Sequence, residues 1–152
     1  MTAWNTASGR ATGPITVATV DLTAQAAAIS ATTMYAVPSS GAGMYRVSWV
    51  ATVTQAATTS STLGGAGGFQ VLHTFGGVVK TSPLPGAPSA GANQAYSQTN
   101  QGNTTASMIS GCIVVYADAS TNIQYQMGYT SSGATPMQFS LNVKVESLLG
   151  VS

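Results

Sequence analysis

The side chains able to do acid, base or nucleophilic work are Asp21, Asp118, Glu146, His73 and Cys112. Catalysis needs such groups gathered in pairs or triads. The pattern predicts Asp21 just before a loop, Asp118 in a turn and Glu146 at a strand end facing outward. Each then has an ordinary role, a turn hydrogen bond or a solvated charge. A paired-carboxylate hydrolase would need the fold to bring two of them within reach. His73 shares its parity with Phe69, Val71 and Phe75, which predicts a partly buried strand histidine with a backbone partner. The sharper alternative is a threefold axis collecting three copies of His73 around a metal. Cys112 lies between Gly111 and Ile113 in an apolar run, the setting of a buried thiol acting as a small hydrophobe. A nucleophile would want a cation or histidine beside it. The run GGAGG at 64–68 is not followed by Gly-Lys-Ser/Thr and so makes no phosphate loop. Asn103-Thr104-Thr105 is a glycosylation triplet without a secretion signal to go with it. This inventory predicts no enzyme, no cofactor and no metal.

The elements that must carry these groups are strands. The clearest is GMYRVSWVATVTQ at 43–55, with Tyr45, Val47, Trp49, Ala51 and Val53 on one parity and Arg46, Ser48, Thr52 and Thr54 on the other. Successive strand side chains point to opposite faces, so this is a half-buried strand. Residues 15–22 are β-branched and read as a first strand. Ala-rich residues 26–37 read as strand or loop rather than helix. Residues 56–68, rich in Thr, Ser and Gly, read as a loop; 69–75 and 78–81 read as strands joined by a tight Gly76-Gly77 turn. Residues 82–104 are a long loop rich in Pro, Gly, Ser, Asn and Gln, with a short strand near 94–99.

Three strands close the chain. Residues 105–117 are apolar on both parities, with Ile109, Ile113 and Val115 against Met108, Cys112, Val114 and Tyr116. Residues 122–130 alternate, and 136–146 place Met137, Phe139, Leu141, Val143 and Val145 on one face. With no amphipathic helix and many Gly, Pro and Ser turns, the pattern predicts an all-β antiparallel β-sandwich or jelly roll. Its domain would span 15–152 behind an N-terminal arm, 1–14. A strand apolar on both sides needs two covers. The sandwich core supplies one, and a sister chain meeting Met108, Cys112, Val114 and Tyr116 would supply the other.

Composition supports such an interface. Charged residues are 5% of 152, against about 25% in ordinary soluble proteins. Charges are depleted where surfaces are buried between chains. Arg10, Arg46, Lys80 and Lys144 form no cluster, which excludes phosphate-driven nucleic-acid binding and attachment to a membrane surface. No apolar run approaches the roughly 20 residues of a membrane-spanning helix, and the N-terminus lacks a signal-peptide pattern. With one cysteine there is no intrachain disulfide.

Two segments resemble a known family. MYAVPSSGAGMYRVSWVATVT is similar to the entry of the C1q/TNF-like jelly roll, where a small-residue turn precedes a Gly-x-Tyr-x-Val strand. IQYQMGYTSSGATPMQFSLNVKVESL resembles the last hairpin of such domains in tailed-bacteriophage virion proteins. The resemblance covers about a third of the chain; residues 56–104 take no part in it. It implies a homotrimer on the virion surface and a structural role. Fibre proteins of this kind carry the domain behind a long stalk, whereas this chain starts almost at the domain. The expectation is therefore a capsid decoration protein that binds the major capsid protein, or another virion protein, and stabilises the phage head. The alternatives are a fibre tip that binds a receptor or host-surface glycan, or a self-assembling filament protein. For partner binding the candidates are Trp4, Asn93, Tyr96 and Asn100, on the arm and the long loop.

Overall fold

The computed structural model describes residues 13–82 and 101–148. Its strands are β1 (Ile15–Gln25), β2 (Ile29–Ala36), β3 (Gly43–Gln55), β4 (Ser60–Phe75), β5 (Val78–Ser82), β6 (Met108–Ala117), β7 (Asn122–Ser132) and β8 (Gln138–Ser147). A single 3₁₀ turn, Gln101–Asn103, is the one helical piece among the described residues. One sheet has the order β1-β8-β3-β6 and the other β2-β7-β4-β5, and every pairing is antiparallel. Four of those pairings, β1·β8, β2·β7, β3·β6 and β4·β5, are those of one long hairpin, 1–4 laid against 5–8. Rolling that hairpin around a core adds β3·β8 and β4·β7 and gives two Greek keys, which is a jelly roll.

Alternation builds the core. Tyr45, Val47, Trp49, Ala51 and Val53 of β3 are buried, as are Phe139, Leu141, Val143 and Val145 of β8, with Met137 just before it. They meet Leu63, Phe69, Val71, Ile123, Tyr125 and Met127 from the other sheet. Trp49 stacks on Phe69 with ring centroids 4.7 Å apart, and Phe69 on Tyr125 at 6.1 Å. Each large side chain so buried contributes roughly 1.5–3 kcal/mol. At the β4–β5 hairpin, Gly76 and Gly77 have φ of 61° and 73°. Two successive positive φ angles make the tight turn that fits strand twist.

Three expectations need correction. Residues 56–68 are not all loop, because β4 begins at Ser60 and Ser60–Gly64 pair with Ser132–Gly128 of β7. Backbone ladders need no apolar side chains, so a Ser/Thr/Gly run hid this strand. The loop-like part is an excursion: Gly64 pairs with Gly128 and Phe69 with Met127, so residues 65–68 are extra. Asp21 lies inside β1, which continues to Gln25, rather than ahead of a loop. The last two strands are not a hairpin, since β7 and β8 belong to different sheets. Their apolar parities face each other across the core, and alternation alone cannot separate that from pairing side by side. Residues 1–12 of the predicted arm and most of the long loop, with its strand near 94–99, lie outside the described residues.

Candidate functional site

Two surfaces draw attention, both on the outer side of the β1-β8-β3-β6 sheet. The first is a concavity of about 590 Å³, lined by Thr19 and Asp21 of β1, Asn142 and Lys144 of β8, and Ser48 and Cys112 among those from β3 and β6. Asn142 Nδ2 donates to Asp21 Oδ1 at 2.6 Å. Beside the hollow, Glu146 Oε2 accepts from Arg46 Nε at 2.7 Å, and Lys144 Nζ lies 2.8 Å from Oε1. Hydrogen bonds from Lys144 and then Arg46 hold the Glu146 carboxyl below the usual carboxylate range. Glu146 does stand on the outward parity, but its two cations cover it and it is buried, against the expectation of an open charge.

The described carboxylates do not share a partner. Asp21 is tied to Asn142, Glu146 to its cations, and Asp118 Oδ2 accepts the Gly77 N–H at 2.9 Å. Asp118 does sit in a turn, but its side chain bonds across to another hairpin and not within its own turn. It locks the β6–β7 turn onto the β4–β5 hairpin, helped by Asp118 N–H donating to the Thr74 carbonyl. Cys112 is exposed, which corrects the buried thiol. Its parity is the outer one, and its polar neighbour is the Ser48 hydroxyl at 3.5 Å.

The second surface is strand β6 itself. Its inner parity fills the core through Ile109 and Val115. Its outer parity is open: Met108 is 58% exposed, Val114 48% and Tyr116 42%. The apolar band continues through Met44, the register partner of Tyr116, and through Phe75, whose ring lies 5.3 Å from that of Tyr116. Val78 of β5, the register partner of Phe75, extends it onto the other sheet. Three of the predicted interface residues therefore join one open apolar band, with Cys112 beside them. Trp4, Asn93, Tyr96 and Asn100 lie outside the described residues.

His73 is buried, and both ring nitrogens are engaged: Nδ1 lies 2.7 Å from the Tyr116 carbonyl and Nε2 3.0 Å from the Ser82 hydroxyl. A carbonyl only accepts, so Nδ1 carries a proton, while Nε2 and the Ser82 hydroxyl share the second bond. The ring joins β4, β5 and β6 and has no nitrogen left for a metal unless one of these bonds breaks. The backbone partner follows the expected pattern; the bond from one sheet to the other has no sequence signal. Sequence reasoning also missed Gly111, which pairs with Trp49. A Cβ there would lie 2.8–2.9 Å from three indole atoms. A lone glycine in an apolar strand was the available clue.

Comparison with protein-family models, with curated proteins and with solved structures finds no match.

Proposed function

We propose that this chain is a non-enzymatic structural protein of a tailed-phage virion, a homotrimeric decoration protein of the C1q/TNF-like kind that binds the major capsid protein on the head surface. The observation that carries the reading is the open apolar band of Met44, Met108, Val114 and Tyr116 on a chain with only 5% charged residues. Exposed apolar patches of this sort mark association surfaces. Covering the band against a sister copy supplies the second cover that β6 lacks. The separately tied carboxylates and the doubly bonded His73 support a role without catalysis. A ligand that binds only the assembled shell stabilises it by mass action, about 2.7 kcal/mol at a hundredfold excess over Kd. Three contacts on one trimer reinforce one another through effective concentration.

The test is cosedimentation with purified heads stripped of accessory proteins, followed by heating. Saturable binding with a higher rupture temperature is the expected result; protein that stays in the supernatant at all concentrations sinks the reading. A glycan-binding fibre tip is the second reading, supported by the concavity, where Thr19, Asp21, Ser48, Asn142 and Lys144 put polar groups at the rim of a mostly apolar floor. Specific saturable binding on a glycan array, with none to heads, would favour it.

A further inference from the structure

A two-sheet sandwich has four edge strands, and an unprotected edge is a template for another strand. Three edges here are blunted. β1 carries Asp21 and two register shifts, and β2 carries two register shifts. β5 is five residues long and contains Lys80. β6, MISGCIVVYA, has ten residues, no charge and no proline, and its pairing with β3 runs unbroken from Met108 to Ala117.

The backbone direction of β6 follows from three bonds. The Ser107 carbonyl accepts from Val53 of β3, so odd residues face β3. The Tyr116 carbonyl accepts from His73, and Asp118 N–H donates to Thr74, so even residues face away from it. Met108, Ser110, Cys112 and Val114 therefore aim their N–H and C=O groups at the open edge. Among the described residues β6 pairs with β3 alone.

We propose that this edge pairs antiparallel with β6 of a second copy about a twofold axis through Gly111, joining two sheets into one. Among the described residues the free stretch runs from Met108 to Val114, and Gly111 is its midpoint. In that register Met108 faces Val114 of the other copy and Ser110 faces Cys112, all with their edge groups aligned. A twofold normal to the sheet keeps outer face with outer face, and an uncharged strand meets its copy without like-charge repulsion. On the inner face Gly111 meets Gly111, where the Trp49 indole already fills the space above the strand. The contact goes beyond the decoration reading: it links two decoration units through edges, whereas the trimer is closed through faces.

The experiment is sedimentation equilibrium of the full chain beside Ser110→Lys and Cys112→Pro, with circular dichroism and bismaleimide cross-linking at Cys112. Lysines at 110 are diagonal neighbours across the twofold, each facing Cys112 of the other copy, so their charges repel. Proline at 112 removes an N–H that faces away from β3 and so spares the β3–β6 ladder. The expected wild-type mass is an even multiple of the 15.2 kDa chain, halved by each folded variant, with a cross-linked pair in the wild type and little in Ser110→Lys. An odd multiple, or an even one that Ser110→Lys leaves whole, overturns the proposal. A wild-type monomer overturns it together with the trimer. Even assembly with no binding to heads overturns the decoration reading and leaves this contact standing.

Discussion

Gly111 shows how one missing side chain sets a core. Trp49 occupies the space that any other residue at 111 would fill, with three indole atoms within 2.9 Å of the absent Cβ. Overpacking of that kind costs about 1–3 kcal/mol. Gly111→Ala should lower the urea midpoint accordingly, and the loss should shrink in a Trp49→Leu background. Equal losses in both backgrounds would refute the contact. His73 acts at the same scale through polar atoms. His73→Phe keeps the bulk but removes the part-buried bonds to the Tyr116 carbonyl and the Ser82 hydroxyl, a cost of about 1 kcal/mol. Chemical denaturation checks this, and a change within a few tenths of a kcal/mol would mean water replaces the ring. Parity placed His73 correctly on the inner face, because that depends on counting by two. Its partners come from 9 and 43 residues away, and no local pattern encodes such distances.

Elements were legible where side chains alternate and obscure where the backbone alone decides. In β3 and β8 every predicted inward residue is buried, since each sheet has one wet face. The start of β4 escaped notice because Ser60, Ser61 and Thr62 enter the ladder without an apolar signature. The Gly76-Gly77 hairpin was readable from composition, and its φ angles give the reason. Neither glycine has a neighbour that a Cβ would strike, so substitution tests conformation alone. Gly77→Val should cost about 1–2 kcal/mol, the penalty of a branched residue in the left-handed region, and Gly77→Asn much less. Thermal unfolding that ranks Val and Asn together would show that the turn relaxes into another type. On β6 the sequence pattern identified the strand and its two apolar faces. Which strand stands at a sheet edge is a property of topology, so the open edge appears only once the sheets are assembled.

At the scale of the whole molecule, the scarcity of charge governs the response to pH. Acid unfolds most proteins by protonating carboxylates that are paired in the native state. This chain has three Asp and Glu residues in all, and the Glu146 carboxyl is pulled downward by Lys144 and Arg46. A carboxyl lowered in the folded state binds its proton less readily there than in the unfolded chain. Its contribution is therefore fully present above the ordinary value of 4.5 and is lost as pH falls through the lower folded value. That contribution should stay level from pH 7 to about 5 and decline gently below. Glu146→Gln should flatten the decline and leave Arg46 and Lys144 without their acceptor at every pH. Urea midpoints of both proteins from pH 7 to pH 2.5 decide the matter. If the Glu146→Gln variant keeps the acid slope of the parent, the ion pairs of Glu146 are not its source.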